Sequence, residues 1–276
     1  MNKIACFLTC GHTEAGAMQA FLRKINAAYD YRQWLPNKTV KKKGMPKKID
    51  PMVNGLTGTD LIRKVIHLVE AHKEELKSYV AILIEDDMDN RFVDWSDERI
   101  NAYKKEIHDT ICSILQCDIP VFFLYAAPEI ESWFLADWNH SFGYVYGKRS
   151  IITDLDNAAR IYFVHHLKQY VDKNIIKRYC QRLSNIETFA EKTTNDSNYL
   201  KLSELLAAAV HHKVVSYIGN LPGCNEAFFE KLVASKDLYY SKSLHGDLML
   251  REIEPTIVAR YCRFYFAEAW LKLHNL

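Results

Sequence analysis

The chain has 276 residues, 49% of them apolar and 25% charged, a globular balance with enough length for a sizeable core. Its formal net charge is only +2, which excludes a global basic field, so any nucleic-acid surface has to be a local patch. Seven cysteines, an odd number without C-x-x-C spacing, suggest neither a zinc site nor a disulfide framework.

"MNKIACFLTCGHTE" at the start lacks a signal-peptide core. The most apolar late stretch, "TIVARYCRFYFAEAWLKL", carries Arg260, Arg263 and Glu268 and reads as a buried helix rather than a membrane span. The expectation is a cytoplasmic protein in a reducing compartment, with no membrane partner.

Lys3 to Thr9 is a short apolar run and reads as a strand. A loop with Gly11 follows, then a helix from Ala15 to Ala28, with Ala17, Met18, Phe21, Leu22 and Ile25 at helical spacing. About 30 to 56 the pattern breaks into a basic insertion with six lysines between Asn37 and Lys48. A helix resumes at "TGTDLIRKVIHLVE", where Thr57 and Asp60 have capping-box spacing and Leu61, Val65, Leu68 and Val69 form an apolar face. Val80 to Ile84 reads as a second strand, Asp97 to Leu115 as an amphipathic helix, and Val121 to Tyr125 as a third strand. A further helix is expected from Pro128, since proline suits a first helical turn.

This order implies an α/β fold with a mostly parallel sheet flanked by helices. The three near-continuous apolar runs fit strands buried on both faces. From Ile151 onward the pattern is mostly helical. The expected organisation is an α/β domain over residues 1–148, with a largely helical C-terminal region over 149–276 packed on it.

Ligands of open parallel sheets bind beyond the carboxyl ends of the strands. Acids follow all three predicted strands: Glu14 after the first, Glu85, Asp86, Asp87 and Asp89 after the second, Glu129 and Glu131 after the third. Clustered carboxylates suit Mg²⁺ or Mn²⁺, and such an ion can polarise a phosphoryl oxygen or acidify a bound water. Solvated turn acids and helix N-cap acids are the plainer alternative.

Four segments together resemble the topoisomerase–primase (Toprim) fold, in its RloB-like and OLD-nuclease-like branch. "CGHTEAGAMQAFLRKI" is similar to the family's opening E-G-x-T-E and helix, and "AILIEDDMD" to its strand and D-x-D. "APEIESWFLAD" is similar to its third motif, and "YYSKSLHGDL" to its Tyr-x-Lys-x-x-x-Gly tail.

The resemblance implies a Toprim-like sheet and an Mg²⁺- or Mn²⁺-dependent nuclease that cuts nucleic-acid phosphodiesters, with DNA as the expected polymer. It implies metal ligation by Asp87, Asp89 and Glu131, with Glu14, Glu85, Asp86 and Glu129 as further candidates. Lys242 becomes a phosphate or transition-state contact. It also implies an anti-phage setting beside an ATPase partner. The family's first acid falls on Cys10, and a thiol prefers softer metals than Mg²⁺. A non-catalytic subunit that binds an ATPase or nucleic acid is therefore the alternative, with Tyr261, Phe264, Phe266 and Trp270 as an interface. A sugar-nucleotide transferase with a D-x-D metal site is a third reading.

Lys41, Lys42, Lys43, Lys47 and Lys48 are candidate backbone contacts for nucleic acid, unless the run is simply a solvated loop. Tyr31 and Trp34 either stack on bases or pack. Trp133 and Phe134 read as core anchors. The adjacent pairs His165–His166 and His211–His212 cannot chelate as an i, i+4 pair does, and His12 reads as a loop residue. No P-loop motif occurs.

Overall fold

The computed structural model describes residues 2–9, 14–36, 56–89, 91–92, 95–148, 157–189, 201–220, 230, 234 and 238–276, apart from the side chains of 14, 15 and 218. Cys10, His12 and the lysine run lie outside the described residues.

The protein is α/β. Four parallel strands, β1 (Asn2–Phe7), β2 (Tyr29–Leu35), β3 (Ala81–Asp87) and β4 (Val121–Ala126), are ordered β2-β1-β3-β4. Around them lie α1 (Glu14–Ile25), α2 (Gly58–Ala71), the short α3 (Lys73–Leu76), α4 (Asp97–Leu115) and the six-residue α5 (Glu131–Ala136). No helix among the described residues is long and apolar enough to cross a membrane.

Strand period two divides the core into two layers. Ile4, Cys6, Leu83, Leu124 and Ala126 face a cluster with α1 and the C-terminal helices. Ala5, Phe7, Ile82, Ile84 and Tyr125 face α2 and α4. Both faces are covered, so the central strands read as unbroken apolar runs.

Several expectations need correction. The basic insertion does not begin near residue 30, because Tyr29–Leu35 is the edge strand β2, in register with β1 from Asn2↔Tyr29. Tyr31 is buried and Trp34 packs against Phe7, His72 and Tyr79, so packing, not base stacking, accounts for both. Thr57 occupies the N-cap position of α2, but its side chain caps nothing, and Asp60 instead pairs with Arg63 at 3.0 Å. Finally, the Ala127–Pro128 bond is cis and the helix starts only at Glu131.

Gly58 begins α2 at φ +61°, a left-handed conformation that costs a residue with a Cβ. A Cβ there would lie 2.9 Å from the Arg91 guanidinium. Gly58→Ala is expected to cost about 1–3 kcal/mol, read as a lower denaturation midpoint.

The C-terminal part holds α6 (Asn157–Val171), α7 (Lys177–Tyr179), the antiparallel pair β5 (Cys180–Arg182) and β6 (Asn185–Phe189), then α8 (Leu202–Gly219), α9 (Lys242–Glu252), α10 (Pro255–Tyr261) and α11 (Phe266–His274). It shares one apolar cluster with the sheet. Trp133 joins them, stacked on Phe21 at 5.4 Å and edge-on to Phe266 at 4.9 Å. Trp133 and Phe134 are fully buried anchors. Phe266 is also fully buried, which removes it from the expected interface, and Trp270 is partly buried against the same cluster. Tyr261 and Phe264 remain exposed.

The late apolar stretch is two helices rather than one, broken at 262–265. The buried Glu187 carboxylate of β6 accepts from the backbone N–H groups of Phe264, Tyr265 and Phe266, the last at 2.9 Å. It thereby satisfies the open amides at the start of α11. Burial pushes the Glu187 carboxyl up to about 7 against those donors. Glu187→Gln sets N–H against N–H at one of its two positions. The expected loss is about 1–3 kcal/mol, read by urea denaturation.

Candidate metal centre

The acids of β3 are inside the strand, not after it. Pairing with β4 continues through Glu85↔Leu124, Asp86↔Tyr125 and Asp87↔Ala126, and all three acids are buried. Strand alternation then sends neighbouring carboxylates to opposite layers.

Asp86 faces α2. Both its oxygens accept from the Gly58 N–H at 3.1 Å, and Arg91 pairs with it at 2.6 Å. Here a buried acid meets a helix N-terminus and a guanidinium. Burial pushes its carboxyl up to about 7, with Arg91 as the main opposing influence.

Glu85 and Asp87 share the other face. Glu85 Oε2 accepts from the Thr9 N–H at 3.0 Å and so ties the end of β1 to β3. Asp87 lies where the chain leaves the sheet. Its Oδ1 accepts from the Ile130 N–H at 3.0 Å, and its Oδ2 lies 3.5 Å from Lys242 Nζ. The same ammonium is 3.2 Å from Glu131 Oε2 and 3.7 Å from Glu129 Oε2.

Further hydrogen bonds orient each carboxylate. Glu131 Oε1 accepts from the Tyr240 hydroxyl at 2.8 Å. Glu129 accepts from the Ser203 amide and hydroxyl, the latter at 2.9 Å to Oε2. Burial raises the carboxyls of Asp87 and Glu131 above the usual carboxylate range, while Lys242 pulls both down.

Asp89 follows at the rim, with φ +44° and its N–H donating to Pro128 O at 2.8 Å. Asparagine and aspartate tolerate that left-handed turn better than most residues. Burial raises its carboxyl, with Lys201 the leading opposing charge and Glu129 adding repulsion.

The structure therefore brings Asp87, Glu131 and Lys242 together, with Asp89 beside them. It places Glu85 on Thr9. Glu14 opens α1, but its side chain lies outside the described residues, as do Lys41, Lys42, Lys43, Lys47 and Lys48.

Glu129, expected only as one substitute for the acid that Cys10 replaces, is a full member of the cluster, and P-E-I-E displays it as plainly as Glu131. Tyr240 is the tyrosine of the Tyr-x-Lys tail, but its bond to Glu131, 109 residues away, was not legible from that motif, and Ser203, 74 residues from Glu129, carried no sequence signal.

Three carboxylates around one ammonium, if all ionised, leave two formal negative charges, and all the facing donors are oxygens, the ligands of a hard divalent cation. Glu131 Oε2 is buried and accepts no hydrogen bond among the described residues. The donor set fits Mg²⁺ or Mn²⁺. The oxygens are spaced for an ammonium, however. An Mg²⁺ ion takes oxygen at about 2.0–2.1 Å, so its entry requires Lys242 to withdraw and the carboxylates to close in. The chain matches no known protein-family model, and no curated protein or solved structure matches it.

Proposed function

We propose that this protein is a divalent-metal-dependent phosphodiesterase acting on nucleic acid, with DNA as the first substrate to test. The observation that supports the reading is the convergence of Asp87, Glu129 and Glu131 on one cationic point at the carboxyl edge of a parallel sheet. The resemblance of the four motifs supplies the substrate class, the anti-phage setting and the ATPase partner.

In this reading Asp87 and Glu131 are the principal ligands, with Glu129 and Asp89 completing the acidic wall. When bound, the cation offsets charge on the phosphoryl oxygens and acidifies a bound water. The Ile130 amide and Tyr240 hydroxyl hold the two principal carboxylates in orientation. Lys242, displaced from among the acids, keeps its proton on Nζ and binds a phosphate oxygen.

A second reading has its own observation. Lys242 already neutralises part of the cluster, as it would in a non-catalytic subunit whose buried acids serve only the fold. Incubating supercoiled plasmid with the protein and Mg²⁺ or Mn²⁺ separates the two. Nicking that EDTA abolishes is expected. Intact plasmid with both metals, from folded protein, overturns the nuclease reading and leaves the binding subunit.

A further inference from the structure

A second cluster of donors lies at the opposite edge of the sheet, where α4 passes into β4. His108 and Cys112 stand one helical turn apart on α4, on the same face. Gln116 ends the helix at φ +55°, and the chain turns back so that Asp118 comes beside them. One ligand atom from each of the three lies within 4.8 Å of the others. Among the described residues this is the one group of three or more His, Cys, Asp or Glu donors so closely spaced.

We infer that His108, Cys112 and Asp118 form a site for a thiophilic divalent transition metal, zinc above all. Cys112 Sγ is 3.6 Å from His108 Nε2. Tetrahedral zinc, with bonds of about 2.3 Å to sulfur and 2.0–2.1 Å to nitrogen, sets those atoms about 3.5 Å apart. The other ring nitrogen, Nδ1, lies 3.2 Å from Asp109 Oδ1, and Asp109 is itself bonded to Lys105. Metal-bound histidines characteristically carry such a carboxylate on the distal nitrogen, which leaves Nε2 for the ion.

One nitrogen, one sulfur and one oxygen make a set for zinc or cobalt, not for magnesium. Cys112 Sγ also lies 3.7 Å from Ile119 O. Metal binding replaces that weak contact with a thiolate–metal bond and releases the thiol proton to solvent. Three protein ligands leave a fourth position for water.

The site clasps the end of α4 to the start of β4 (Val121), whereas the acidic cluster lies beyond Asp87 and Ala126 at the strands' other ends. It plays no part in the reaction proposed above. Serving as a clamp also explains why a site is present without any C-x-x-C or His–His motif: the third ligand arrives only through the turn at Gln116.

The test uses the full-length chain, reduced and stripped with EDTA, then titrated with Co²⁺. A thiolate-to-cobalt charge-transfer band that saturates at one equivalent is expected. Cys112→Ser should abolish the band. Asp118→Asn, a change at an exposed loop position, should weaken cobalt binding at least tenfold, as should His108→Ala. Cys117→Ser and the double variant Asp87→Asn/Asp89→Asn should keep the band, which separates this site from the acidic centre. Absence of the band in folded wild type overturns the inference. So does a band that survives Cys112→Ser, or one indifferent to Asp118→Asn.

Discussion

Asp87→Asn is expected to lower metal-dependent nicking by about 100-fold or more, a transition-state loss of about 2.7 kcal/mol, while the fold survives. The asparagine keeps an oxygen to accept the Ile130 N–H that Asp87 Oδ1 now accepts. It loses only the charge on the oxygen turned toward Lys242. Glu131→Gln should behave alike, since the Tyr240 hydroxyl can still donate to the amide oxygen.

The informative control is the adjacent acid. Asp86→Asn removes charge from a carboxylate bound to Gly58 and Arg91 on the opposite face, so it should cost stability and leave nicking per folded molecule nearly unchanged. Circular dichroism and a melting curve establish the folded fraction, and plasmid relaxation gives the rate. Full activity in both Asp87→Asn and Glu131→Gln rejects the metal centre. Equal loss in all three would mean that the activity follows stability alone.

The second large effect is on stability. In metal-free protein at pH 8, Lys242→Met should lose about 3–5 kcal/mol, the usual cost of removing one partner from a buried ionic cluster. At pH 5 most of that loss should vanish. The sign follows from linkage. Burial raises Asp87 and Glu131 in the folded state above their unfolded values. Between the unfolded value, near 4 for such groups, and the raised folded value, the native state holds more protons. Stability therefore falls as pH rises through that window.

Asp86 and Glu187, each raised to about 7, contribute with the same sign, so wild type should itself weaken from pH 4.5 toward neutrality. Lys242 opposes the rise of Asp87 and Glu131. Its removal lifts both further and steepens the decline, and the difference between variant and wild type isolates the cluster. Millimolar Mg²⁺ should return much of the lost stability, because a cation that binds only the folded state stabilises it by mass action. Urea denaturation at pH 5, 7 and 8, with and without Mg²⁺, measures all of this. A Lys242→Met protein as stable as wild type at pH 8 contradicts the ion contacts of Lys242 with Asp87, Glu129 and Glu131.

Much of this molecule follows from local pattern. β1, β3 and β4 are apolar runs wherever they are read, and α4 occupies Asp97–Leu115 as its periodicity predicts. Strand and helix periods are properties of neighbouring residues, so an α/β sheet with helical cover is legible without a structure. The acidic character of the strand ends is legible for the same reason.

Tertiary structure decided the rest. β2 is half exposed, and Arg32 and Gln33 interrupt its apolar pattern; β1 alongside makes it a strand. One helix became two because Glu187 offers its carboxylate to amides 77 to 79 residues away. Above all, "EDD" reads as one run of charge, yet pairing with β4 carried the strand through it and divided it between two layers. That division gave Asp86 to Arg91 and Asp87 to Lys242, 155 positions further along the chain. Composition and spacing determined that acids gather at this edge. Which of them meet was decided by packing at long range, since each buried charge takes the partner that the folded chain brings within reach.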